Sequence, residues 1–149
     1  MSSIIEGDIT NVSEGIIMHQ VNCQNRIGAG VSGAIISKYP EVEKEYHNSF
    51  KKCLPEKLFG SIIEIHINQK LSVINCYSQF KYGNSAKTGI VYTDMDMLVN
   101  HIRYVCANNP DKTIYVPYGI GCGLAGGNWD FVYSNIEHIN NLVIVKFNK

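Results

Sequence analysis

The chain has 149 residues, 45% of them hydrophobic and 17% charged, which is enough apolar surface for a buried core and too much for a disordered segment. Its 13 basic residues balance 13 acidic ones, so no general electrostatic attraction draws it to nucleic acid or to an anionic membrane. No apolar stretch is long enough to span a bilayer. The five cysteines, at positions 23, 53, 76, 106 and 122, are odd in number, widely spread and without a Cys-x-x-Cys pair. That speaks against a secreted disulfide framework and against a zinc knuckle, and, with no signal-like N-terminus, points to the cytoplasm.

Ser3–Glu6 reads as a short edge strand, and 15–21 (GIIMHQV) as a buried strand running into polar, glycine-rich sequence. Residues 31–39 follow as a helix stopped by Pro40. Val42, Tyr46 and Phe50 recur every four residues in 41–52, the period of a second helix. The isoleucine-rich 61–67 and the run 71–77 flank the turn Asn68-Gln69-Lys70 and read as neighbouring strands. A helix is expected over 93–107, with Thr93 as N-cap, Asp96 three residues on, and Met97, Leu98, Ile102 and Val105 on its apolar face. A strand at 113–118, a helix at 129–139 and a strand at 142–147 complete the chain. Strands alternating with helices imply a sheet covered on both faces, and the paired middle strands make it mixed. With no internal repeat or linker, one domain over 1–149 is expected.

Ligands of open α/β sheets bind beyond the carboxyl ends of the strands, where loops lead into helices. Two segments have that position and a suitable composition: 22–33, containing Gly28-Ala29-Gly30-Val31-Ser32-Gly33, and 119–127, containing five glycines. Such loops can turn successive N–H groups into one concavity, and the following helix adds its positive end. A pyrophosphate then needs no lysine, in keeping with the neutral composition. Tight turns and close packing account equally well for the glycines of one loop alone; a second loop at the same end of the sheet favours the phosphate reading. The formal G-x-G-x-x-G is weak evidence by itself, because a second helix follows where a dinucleotide fold would place a strand ending in an acidic residue. No G-x-x-x-x-G-K-[ST] occurs.

Taken together, Gly7-Asp8-Ile9-Thr10, the run His19-Gln20-Val21-Asn22-Cys23 leading to Gly28-Ala29-Gly30, and Val116-Pro117-Tyr118-Gly119-Ile120-Gly121-Cys122-Gly123-Leu124 resemble a macrodomain. The pieces span nearly the whole chain in the family's order. The nearest branch is the compact one of ADP-ribose 1″-phosphate phosphatases and terminal ADP-ribose-protein glycohydrolases. The resemblance implies a three-layer α/β/α sandwich with a mixed central sheet, and ADP-ribose or a derivative as ligand. It implies that Asp8 accepts the adenine amine with Ile9 beside it, that Gly28, Ala29 and Gly30 border the distal ribose, and that Gly121, Cys122, Gly123 and Leu124 wrap the phosphates. No cofactor is implied. ADP-ribosylated macromolecules are the further partners; no membrane and no independent nucleic-acid affinity are expected.

The glycohydrolases of this branch use a lysine at the end of the central strand and an aspartate in the second glycine loop. This sequence aligns Gln79 and Ala125 with them, and neither can do that chemistry; Lys81 takes the lysine's place only if the register slips. What remains is His19, positioned either to act as a base in phosphomonoester hydrolysis or to be a satisfied core histidine, and Asn22, which either touches a ribose hydroxyl or braces its own loop. Gln79 counts as a ligand contact, Tyr82, Asn84 and Ser85 as a polar cover, and Phe80 or Tyr118 either as a stacking surface or as core aromatics. The remaining histidines have no metal-ligand spacing, so no metal is expected. The expected function is ADP-ribose binding with hydrolysis of ADP-ribose 1″-phosphate or a related distal-ribose ester. The alternatives are a non-catalytic binding module and a mono-ADP-ribosyl hydrolase.

Overall fold

The computed structural model describes residues 1–147. Six strands are present: β1 (Ser3–Glu6), β2 (Gly15–Asn22), β3 (Ile62–His66), β4 (Leu71–Gln79), β5 (Ile114–Pro117) and β6 (Leu142–Lys146). The helices are α1 (Gly30–Lys38), α2 (Pro40–Lys52), α3 (Pro55–Leu58), α4 (Ser85–Thr88), α5 (Met95–Asn108) and α6 (Trp129–Ile136), with a 3-10 turn at Ile9–Asn11. The strands form one sheet in the order β1-β6-β5-β2-β4-β3. Only β3 runs antiparallel to its neighbour.

Two-residue alternation along the strands builds the layers. Ile16, Met18, Ile74, Cys76, Ile114 and Val116 face one way and pack against α5 and α6 through Leu98, Ile102, Val132 and Ile136. Ile17, Val73 and Val145 face the other way, onto Ile35 of α1 and Val42 of α2. The result is a three-layer α/β/α sandwich around a mixed sheet. β4 is buried from Leu71 through Ser78, as a strand covered on both faces must be, whereas the edge strand β1 is exposed along its length. A third cluster, Val21, Cys23, Tyr46, Leu58 and Tyr77, lies under the carboxyl end of β2. Its two tyrosine rings stack 6.1 Å apart. Each such large buried side chain contributes about 1.5–3 kcal/mol.

Local differences from the sequence reading have local causes. α5 is capped by Asp94, whose carboxylate accepts from the Met97 N–H at 3.0 Å, and not by Thr93. Thr93 is instead bridged to Gln79 at the end of β4, and its side chain is used in the site. Helix α6 stops at Ile136, short of 139. Helices α3 and α4 have four residues each, too few for a hydrophobic period to register.

One irregularity positions the site. β2 and β4 stay in step from Gly15↔Leu71 to Gln20↔Cys76, after which Asn22 pairs with Gln79. β4 thus carries one residue more than β2 at the carboxyl end, a β-bulge. The extra residue lets consecutive side chains, Ser78 and Gln79, both reach Gln20.

Candidate functional site

A cleft of about 650 Å³ opens at the carboxyl ends of β2, β4 and β5. Its walls are the loop after β2 with the first turn of α1, the start of the loop after β4, and the glycine loop after β5. Gly28, Ala29, Gly30, Gln79, Gly121, Gly123 and Leu124 all border it, as do Gln20, Asn22, Arg26, Ser32, Tyr82, Tyr118 and Ala125.

The first wall is held by Tyr46. Its hydroxyl accepts from the Arg26 N–H at 3.1 Å and faces the Asn22 carbonyl and side-chain oxygens at 2.9 and 2.8 Å. Asn22 in turn donates to the Arg26 carbonyl at 2.7 Å and accepts from the Gln24 N–H at 2.9 Å. Asn22 therefore braces its own loop, the second of the two roles the sequence left open. Helix α1 begins at Gly30 with no side chain capping it. A Cβ on Gly33 would lie 2.4 Å from the Gly28 carbonyl oxygen, so only glycine lets the loop fold onto the helix start. The N–H groups of residues 28–32 donate to no acceptor among the described residues.

The opposite wall repeats the pattern. The N–H groups of Gly121, Gly123, Leu124 and Ala125 also donate to no acceptor among the described residues. Gly121 sits at φ 71°, and a Cβ there would lie 3.0 Å from both Leu98 Cδ2 and Thr93 Cγ2. Conformation and space both demand glycine at that position. Thr93 donates to the Gly121 carbonyl at 2.6 Å and accepts from Gln20 Nε2 at 2.9 Å. Gln20 Nε2 also donates to Gln79 Oε1 at 3.1 Å, and Gln20 Oε1 accepts from Ser78 Oγ at 2.7 Å. This chain ties the glycine loop to the end of β4 and leaves the Gln79 amide nitrogen as a donor.

Arg26 and Tyr82 meet at the mouth, the guanidinium donating to the phenol oxygen at 3.3 Å with its carbon 5.2 Å from the ring centre. Among the described residues Arg26 is the one cationic side chain bordering the cleft, so an anion inside meets mainly backbone N–H groups and the positive end of α1.

His19 does not border this cavity. It is fully buried on the α1 side of β2, with Nδ1 2.8 Å from Ser32 Oγ and Nε2 2.6 Å from Asn75 Oδ1. Burial drives its pKa down to about 4, although the Asn75 contact opposes the shift. Strand alternation places His19 and Val21 on one face of β2, the one turned to α1 and α2. Asp8 and Ile9 also lie outside the cavity's border. Asp8 caps the 3-10 turn, with one carboxylate oxygen accepting from Thr10 N and Oγ1 at 2.9 and 2.6 Å. Those bonds hold its carboxyl below the usual range. Ile9 is in the core. Cys122 points away from the cavity, its thiol 3.2 Å from the Ile120 carbonyl and pushed up to about 11 by burial, which makes it a poor nucleophile. Phe80 packs on Phe59 at 5.6 Å, whereas Tyr118 borders the cleft against Trp129 at 4.9 Å.

Sequence reasoning passed over Gln20, Arg26, Ser32 and Thr93. The parity of β2 already separated Gln20 from His19, but nothing in sequence said which face would open onto a cavity. No cluster of three or more His, Cys, Asp or Glu among the described residues is placed to hold a metal. No helix among them is long and apolar enough to cross a membrane.

No family model and no curated protein matches the chain. Among solved structures, a protein of unknown function from Bacteroides thetaiotaomicron superposes with a TM-score of 0.83 at 25% identity, covering 99% of this chain and 98% of that one. The macrodomain of Mycobacterium tuberculosis DarG gives 0.75 at 18% identity, covering 100% and 98%. Thermosipho africanus DarTG in complex with ADP-ribose gives 0.72 at 16% identity, covering 99% of this chain and 42% of that one. With this sheet order and the two glycine loops at its carboxyl end, the chain has the macrodomain fold.

Proposed function

We propose that the chain binds ADP-ribose or a close derivative, holding the pyrophosphate between its two glycine loops. One observation carries the reading. Among the described residues, two arrays of unpaired N–H groups border one cleft from opposite walls, beside a single cationic side chain. A diphosphate is the ligand that satisfies both arrays at once. The likeness in fold to a protein solved with ADP-ribose supports it. Asp8 is the adenine contact in this reading: its second carboxylate oxygen has no partner among the described residues and is free to accept an amine. The partners are ADP-ribose itself and ADP-ribosylated macromolecules; the compartment that suits the free thiols is the cytoplasm. The unit is a single domain over 1–149.

Direct hydrolysis of the 1″-phosphate by His19 and Asn22 draws no support from the geometry, since Ser32 stands between His19 and the cleft and the Asn22 side chain is tied to its own loop and to Tyr46. Gln79 and Ala125 border the cleft where the resembled glycohydrolases carry lysine and aspartate. Binding is therefore the primary activity. Isothermal titration with ADP-ribose, against AMP and ribose 5-phosphate as controls, is expected to show micromolar affinity for ADP-ribose and much weaker binding of either half. Absence of heat at millimolar ADP-ribose would sink the proposal.

A further inference from the structure

A second depression, open and about 420 Å³ in volume, is bordered by residues 91–96 and by Phe131 of α6. The stretch that forms it also backs the cleft. The Tyr92 N–H donates to the Ala125 carbonyl at 2.8 Å. Thr93 is bridged to Gln79 and donates to the Gly121 carbonyl at 2.6 Å. Ala125, Gln79 and Gly121 all border the cleft. The two hollows thus share a wall, and a chain seated in the depression lies against the rim of the cleft.

The surface there is apolar and acidic at once. Val91 and its neighbour Ile90 are each more than half exposed, as is Leu124 on the cleft's rim, and Phe131 is 40% exposed. Exposed apolar side chains gathered in one region are characteristic of a contact surface. Beside them stand Asp94, the N-cap of α5, and Asp96 in its first turn. Neither has an ion-pair partner among the described residues. No lysine or arginine among those residues borders the depression. Capping accounts for one oxygen of Asp94, which accepts from the Met97 N–H. It calls for neither the hollow nor the apolar residues around it.

We propose that this depression seats a basic segment of a polypeptide, an arginine or lysine with an apolar neighbour, and that this polypeptide is the one carrying the ADP-ribose. The aliphatic stem of the basic side chain lies along Val91 and Phe131, and its cationic head meets Asp94 and Asp96. The apolar neighbour covers Ile90 and Leu124. Two carboxylates repel phosphate, so the same surface disfavours a nucleic-acid chain. The cleft reads the modification, and the depression reads the sequence around it. That the partner carries ADP-ribose rests on the proposed function; the affinity for a basic segment does not.

Calorimetry tests this with free ADP-ribose and three conjugates of stable linkage: on a peptide with Arg-Leu-Arg beside the modified residue, on the same peptide with Glu-Leu-Glu, and on an oligothymidylate. At low salt the basic conjugate is expected to bind roughly 10-fold more tightly than free ADP-ribose, the gain shrinking as salt rises. The other two conjugates are expected to show no gain. Asp96→Lys is expected to abolish the gain and leave the affinity for free ADP-ribose unchanged, and Phe131→Ala to reduce it. Equal affinity for the basic and acidic peptides, tightest binding of the nucleic-acid conjugate, or a gain that survives Asp96→Lys would each overturn the proposal. The unmodified basic peptide separates the docking surface from the cleft. Amide NMR of the folded protein is expected to show it shifting residues 91–96 and 131 and sparing the glycine loops. If those shifts appear and free ADP-ribose does not bind, the proposed function falls and the docking surface stands. Shifts elsewhere, or none at millimolar peptide, would remove the docking surface and leave ADP-ribose binding intact.

Discussion

His19 makes stability depend on pH in a way that can be calculated. In the unfolded chain its imidazole takes up a proton near 6.5; in the folded protein burial delays that to about 4. Between those values the unfolded state binds more protons, so stability is complete above 6.5 and falls as the pH drops toward 4. At about 1.36 kcal/mol per pH unit, the loss over that interval is about 3 kcal/mol. His101, whose pKa burial also lowers, and Asp8, whose carboxyl its bonds to Thr10 hold low, contribute to the same profile, so the effect must be isolated by difference. Urea denaturation of the wild type and of His19→Gln, from pH 7.5 down to pH 4, supplies it. The glutamine retains hydrogen-bonding capacity toward Ser32 and Asn75 and cannot titrate. The stability difference between the two proteins is expected to shift by about 3 kcal/mol against the wild type across that range. Two pH profiles that run parallel would refute the reasoning, because they would mean that His19 accepts its proton as readily in the fold as in water.

Two further outcomes follow from the walls of the cleft. Gly121→Ala forces an L-residue into φ 71° and a methyl against Leu98 and Thr93; thermal denaturation should show a loss of about 1–3 kcal/mol, and ADP-ribose affinity should fall with it. Tyr46→Phe keeps the ring in its stack but removes the hydroxyl that joins Arg26 to Asn22. Calorimetry should find ADP-ribose binding weakened several-fold, with stability lowered by about 1 kcal/mol, and unchanged affinity would show that the loop holds its shape without the tyrosine.

Much of the fold was legible because the elements are periodic. The runs from Gly15 and from Leu71 alternate or are continuously apolar, and Val42, Tyr46 and Phe50 keep a strict spacing of four. The four-residue helices α3 and α4 have no period to read, and the cap of α5 turned on a choice between the adjacent Thr93 and Asp94 that composition does not make. The glycine loops were legible for the same reason that they work, since few other residues meet their conformational and steric demands. The polar interior was not. Whether Asn22 faces a ligand or its own loop depends on Tyr46, 24 residues away, and whether His19 opens onto the cleft depends on Ser32 closing over it. Such contacts between separate segments leave no pattern along the chain.

The extra residue in β4 is a matter of parity. Strict alternation lets every second side chain of a strand look the same way, so Ser78 and Gln79 would have to part, one toward α5 and the other toward α1. The bulge suspends that rule for a single step, and Gln20 receives both. Upstream, His19 and Asn75 remain directly paired in unbroken register. The two sides of the sheet at the cleft are therefore under separate control. Deleting one residue at the end of β4 would unseat the polar chain leading to the glycine loop while leaving the histidine and its carboxamide partner in step.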